Sequence, residues 1–136
     1  MKEMNAYLIF NGTCREAMKF YAKCTGAELV LMPYSEAPGN FPPEAKDRII
    51  HARLAKGTAV IMASDSTPGQ PHIAGNNVWV AVKCESAEET EKLFAAFSEN
   101  GQVVMPVGET FWALRFGMLT DQFGVNWMFN FEKSRP

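Results

Sequence analysis

The chain says the same thing twice. Thr13 is followed three residues on by Glu16, and Ser86 by Glu89. Both pairs read as capping boxes, in which a hydroxyl and a carboxylate satisfy free backbone N–H groups at a helix start. The helical stripes that follow match at an offset of 73: Phe20 with Leu93, Tyr21 with Phe94, Cys24 with Phe97. Gly26 and Gly101 each supply a left-handed stop before an extended apolar run, 27–32 in one copy and 102–107 in the other. Each copy closes with two strands that turn near a glycine, Gly57 or Gly124, and reach a methionine, Met62 or Met128. Such a chain is expected to fold as a duplicated module with a cavity shared between the halves.

The first copy reads as a strand at 6–10, a helix at 14–25, a strand at 27–34, and strands at 48–54 and 59–64. Its segment 35–46 carries Pro38, Pro42 and Pro43 and reads as a loop; loops this long in compact domains are often functional lids. The second copy reads as a strand at 78–84, a helix at 87–100, and strands at 102–107, 112–119 and 125–131. Residues 65–77, rich in Pro, Gly and Asn, form the linker. The order is βαβββ, twice, which predicts an α+β fold rather than a doubly wound parallel sheet. A single domain spanning 1–136 is expected, with modules at about 5–64 and 78–131.

Composition removes several functions. At 136 residues the chain can bury one core without covalent staples, and its 47% apolar content argues against disorder. No apolar run approaches the roughly 20 residues of a membrane span, and 1–5 lacks the apolar core of a secretion signal. A cytoplasmic location is expected. Net charge is −2 with the cations scattered, against the concentrated positive charge that nucleic-acid binding needs. Cys14 and Cys24 sit ten residues apart on one helix, so their Cα atoms lie ~15 Å apart, beyond the ~7 Å limit of a disulfide. The three cysteines are expected to be reduced thiols.

Strand alternation sorts the side chains near any cavity. Val60, Met62 and Ser64 share one face of their strand, and Asn126, Met128 and Asn130 one face of theirs. His51 and Arg53 share a face of the strand before Met62. His51, the strand histidine, suits a general base or a hydrogen-bonded pocket wall. Glu109, ahead of an aromatic strand, suits an acid, a base or a surface turn. Trp112 can stack on a planar ligand or fill core, and Arg115 can clamp an anion or form a surface ion pair. Candidate ligand-binding residues are therefore Met62, Ser64, Trp112, Arg115, Asn126 and Met128, with His51 and Glu109 as candidate catalytic groups.

Tyr7-Leu8-Ile9-Phe10-Asn11-Gly12, Ile50-His51-Ala52 and Ile61-Met62-Ala63-Ser64-Asp65 carry a family resemblance. So do Glu109-Thr110-Phe111-Trp112-Ala113 and Phe123-Gly124-Val125-Asn126-Trp127-Met128. With the two βαβββ modules, these segments resemble the vicinal oxygen chelate superfamily of glyoxalases, bleomycin-resistance proteins and dioxygenases. More narrowly they resemble its PhnB-like branch, whose domain is also labelled 3-demethylubiquinone methyltransferase. The resemblance implies a curved sheet with a central cavity, a small-molecule ligand and a homodimer. It also implies metal-ligand places at Met62 and Met128, near 5–7 and near 78–79, where no usual ligand for a divalent metal stands. No metal and no other cofactor is expected, although His51, Glu109 and Asp65 can still converge from different strands. S-adenosylmethionine chemistry lacks its Gly-rich strand-to-helix turn here. Two readings follow: a non-catalytic small-molecule binder, or a lyase, isomerase or oxygenase using His51 and Glu109.

Overall fold

The computed structural model describes residues 1–134; Arg135 and Pro136, the last two positions of the expected 1–136 domain, lie outside the described residues. The chain forms two compact units, 1–73 and 74–136, and each is one βαβββ module. The architecture is α+β, two four-stranded mixed sheets each with one helix. No helix of the described residues is long and apolar enough to cross a membrane.

In the first unit β1 (Tyr7–Phe10) leads into α1 (Cys14–Thr25), followed by β2 (Glu28–Pro33), β3 (Ile49–Lys56) and β4 (Ala59–Asp65). The strand order is β1-β4-β3-β2. β2, β3 and β4 form an antiparallel meander, and β1 closes the far side by pairing parallel to β4. α1 buries Cys14, Ala17, Met18 and Tyr21, the i, i+3, i+4, i+7 stripe of an amphipathic helix. That stripe belongs to the same core as Phe10, Ala52, Leu54 and Ala63. The segment between β2 and β3 holds two short 3-10 turns, Tyr34–Glu36 and Pro43–Ala45, closed by an edge-to-face contact of Tyr34 and Phe41 at 4.8 Å.

The second unit repeats the plan: β5 (Val80–Lys83), α2 (Ala87–Phe97), β6 (Gln102–Gly108), β7 (Ala113–Thr120) and β8 (Asn126–Glu132), in the order β5-β8-β7-β6. Its core is aromatic. Phe97 meets Trp127 at 4.8 Å and Phe129 at 5.1 Å, and Phe94 meets Phe129 at 6.0 Å. Gly117 lies beneath this cluster; a Cβ there would come within 2.7 Å of the Phe94 ring.

Three local expectations need correction. Thr13 makes no side-chain cap. Asp65, from the end of β4, accepts the N–H groups of Gly12 at 2.8 Å and Cys14 at 3.0 Å instead, and its other oxygen accepts Ile49 N–H at 2.9 Å. A buried carboxylate from a neighbouring strand outcompetes a local hydroxyl because its charge-assisted bonds are stronger. At Ser86 the hydroxyl half of the box forms, Glu89 N–H donating to Ser86 Oγ at 3.0 Å, while the Glu89 carboxylate accepts the N–H of Glu85 at 3.0 Å. Gly101 is not the left-handed residue after α2; Asn100 is, at φ 57°. Gly101 is required by crowding, since a Cβ would sit 2.6 Å from the Thr120 carbonyl oxygen. Finally, 78–79 lies outside β5, because the Asn126 amide donates to the carbonyls of Gly75 and Val78 at 2.8 and 3.1 Å and holds that backbone out of the ladder.

Candidate functional site

Each sheet has a helix-packed face and an open face, and strand register sorts every residue between them. In the first sheet Tyr7 is opposite Met62, Met62 opposite Arg53, and Arg53 opposite Val30. Directly paired residues project to the same side, so Tyr7, Met62, Arg53 and Val30 form one row across all four strands of the open face. Ile9 opposite Ser64 and Met32 opposite His51 contribute to the neighbouring row. The helix-facing set, Ala52, Leu54, Ala63 and Asp65, is buried.

The polar centre of this face is a pair. Tyr7 Oη lies 3.1 Å from His51 Nδ1, with the rings 5.8 Å apart. The phenol passes over β4 to make this contact, and Ser64 beneath is 9% exposed. When Tyr7 donates to Nδ1, the neutral imidazole carries its proton on Nε2 and keeps that N–H as a donor. Tyr7, Ile9, Val30 and Met32 surround the pair as exposed apolar surface, 44–66% accessible.

In the second sheet Ala81 is opposite Met128, Met128 opposite Met118, and Met118 opposite Met105. Three thioethers therefore stand side by side on its open face. Asn126 shares the face with Thr120, but its side chain is taken up within the protein. Its amide N–H groups hold Gly75 and Val78, and its oxygen accepts the Thr120 hydroxyl at 2.9 Å. Trp112 contacts Phe116 at 5.1 Å and Phe111 at 4.8 Å, edge-to-face, at the β7 end of the sheet. Arg115 turns to the other face, where its Nε is 3.2 Å from Glu91 of α2. Glu109 is exposed and pairs with Lys133 at 3.1 Å. Asp121 is a buried turn anchor, accepting Phe123 N–H, Val125 N–H and the Trp127 indole at 2.8–3.0 Å.

Among the expected site residues the fold brings His51, Met62 and Ser64 together on one face, and places Met128 at the matching position of the other sheet. Asp65 belongs to the helix side of its sheet and is spent on three backbone groups. Among the described residues no three His, Cys, Asp or Glu side chains cluster at metal-binding distance. At the four places the resemblance assigns to a metal stand two thioethers, the His51-bonded Tyr7 phenol, and Val78 with Trp79. That donor set does not fit a hard divalent ion. Tyr7, Met105 and Met118 are not among the candidates the sequence offers, and Arg53 enters there only as the residue sharing the His51 face; the pairing register is what puts them in these rows.

Residues 3–129 match the family model described as the Glyoxalase/Bleomycin resistance protein/Dioxygenase superfamily. The chain belongs to this superfamily. Its members bind small-molecule ligands. Among curated proteins it is similar to protein YjdN of Escherichia coli K12, 33% identical over 98% of this chain and 97% of that one. Among solved structures it is similar to protein PA1353 of Pseudomonas aeruginosa, with a TM-score of 0.91 and 43% identity, covering 98% of this chain and 100% of that one. A PhnB protein of Bacillus cereus, described as a putative 3-demethylubiquinone-9 3-methyltransferase, superposes with a TM-score of 0.77 at 28% identity, over 96% and 99% of the two chains. The PhnB-like branch of the superfamily is thus the neighbourhood the sequence resemblance pointed to.

Proposed function

We propose that this glyoxalase-like protein is a PhnB-like small-molecule binder that works without the superfamily's divalent metal, in the cytoplasm and as a homodimer. The observation that carries the reading is the pair Met62 and Met128, two thioethers on the open sheet faces where the family resemblance places carboxylate ligands. A thioether supplies no negative charge to a hard cation. The ligand lies against the open face of the first sheet, over Met62, Ser64, His51 and Tyr7. The methyltransferase label carried by the Bacillus relative finds no support at the α1 N-terminus. The anion position there is filled by the Asp65 carboxylate, which leaves no place for a cofactor's negative groups.

The Tyr7–His51 bond favours one alternative, a small-molecule lyase, isomerase or oxygenase in which His51 is the base and Glu109 a second acid–base group. Elemental analysis of protein purified without chelators separates the two readings. Zn, Ni, Mn and Fe are expected well below one equivalent per chain. One full equivalent of any of them, lost on His51→Ala, overturns the metal-free reading and puts the enzyme first.

A further inference from the structure

We propose that the open face of the first sheet selects small organic anions, with Arg53 as the group that grips the oxyanion; this rests on the reading of the protein as a small-molecule binder. Arg53 stands at the middle of its row, between Met62 on one side and Val30 on the other. The other described arginines are all engaged. Arg15 donates to the Asp47 carbonyl, Arg48 to Asn11 and the Ser66 carbonyl, and Arg115 pairs with Glu91. Arg53 alone among the described arginines has no hydrogen bond or ion pair. Glu28, opposite Ala55 on the same face, is the nearest carboxylate by register and makes no salt bridge to it. The Arg53 side chain is exposed and unpartnered, so its planar fork is free to take a bidentate carboxylate or comparable oxyanion.

The neighbouring groups have the same preference. His51 is two residues along the strand, ~6.6 Å away at the usual rise, and offers its Nε2–H once Tyr7 holds Nδ1. The unpaired cation at the middle of the row suits an anion and not a cation. Tyr7, Ile9, Val30 and Met32 form an exposed apolar shelf around the two donors, matched to a hydrocarbon or aromatic body. Among the described residues the second module has no counterpart at this position. Met118 stands between Met128 and Met105, where Arg53 stands between Met62 and Val30. One anion per chain follows, bound to the first module.

Two-dimensional NMR of the ¹⁵N-labelled full chain tests this with benzoate and its neutral analogue benzamide. Benzoate is expected to shift the amides of His51, Arg53 and Met62 and to bind about tenfold or more tighter than benzamide, because the carboxylate can pair bidentately with the guanidinium and the neutral amide cannot. Arg53→Gln, on an exposed strand position, should abolish that preference. Lys83→Gln, which removes a cation from the second sheet, should keep it. Equal affinity for the two probes, an unchanged preference in Arg53→Gln, or benzoate shifts confined to other elements each overturns the anion assignment. If neutral compounds then bind the open face, the binder reading stands without it. If a library of both charges leaves that face unperturbed, the binder reading falls as well.

Discussion

Two buried aspartates do structural work that their surroundings in the sequence conceal. Asp65 joins the start of α1 to the start of β3 by accepting three backbone N–H groups, and it is 3% exposed. Asp65→Ala leaves three donors without an acceptor and is expected to cost on the order of 3 kcal/mol or more. Asp65→Asn, which keeps one oxygen, should cost visibly less. Urea unfolding of the two variants checks the order. Beside Asp65, the fully buried Cys14 thiol is pushed up to about 12 from its ordinary 9.0, first by burial and then by the Asp65 charge. The folded state thus holds this proton more tightly than the unfolded chain does. The associated stability is complete below pH 9 and drains away as pH rises from 9 towards 12. Measured between pH 8 and 11, the fall of the unfolding midpoint should be shallower in Cys14→Ala than in the parent chain. Equal slopes would contradict the buried-thiol assignment.

At the level of elements, the two helices dock by different means. α1 presents small and medium residues, Cys14, Ala17 and Met18, with Tyr21, and its N-terminus is tied to the sheet by a carboxylate. α2 presents Phe94 and Phe97 and needs a hollow in the sheet to receive them. Gly117 provides that hollow on β7. Gly117→Ala drives a methyl group into the Phe94 ring and Val107, and is expected to lose about 1–3 kcal/mol by overpacking. The loss should be relieved in part by Phe94→Leu in the double variant, which thermal unfolding of all three proteins can show. An additive result would place the strain elsewhere. β3 illustrates the opposite economy: one face buries Ala52 and Leu54, and the other leaves His51 and Arg53 accessible for a ligand.

At the scale of the whole molecule, exposed apolar surface bears on assembly. Phe111 is 88% exposed, with Trp112 and Leu114 close behind it in sequence, and Val104 and Met105 are exposed on the edge strand β6. Large exposed apolar side chains and an uncovered strand edge both favour a partner surface. A homodimer at micromolar concentration is expected by sedimentation equilibrium, and Phe111→Ser should shift it towards monomer. A parent chain that stays monomeric would remove the dimer from the proposal.

The duplication itself is legible in the sequence alone. Helix stripes, turn glycines and the paired methionines at 62 and 128 are set by local periodicity, which depends only on spacing along the chain. The face of Met62 and His51 followed for the same reason. What only the tertiary structure decided depends on pairing between distant segments. That Asp65 caps α1 instead of Thr13, that Gly101 answers crowding by Thr120 and not a left-handed turn, and that Arg115 turns to Glu91 are set by neighbours across strands. The row Tyr7–Met62–Arg53–Val30 has the same origin. Its members are far apart in sequence and become neighbours only when β1 joins β4 in parallel and β3 lies between β4 and β2. A carboxylate or a guanidinium acts over a few ångströms through space, and sequence order does not encode which groups fall within that distance.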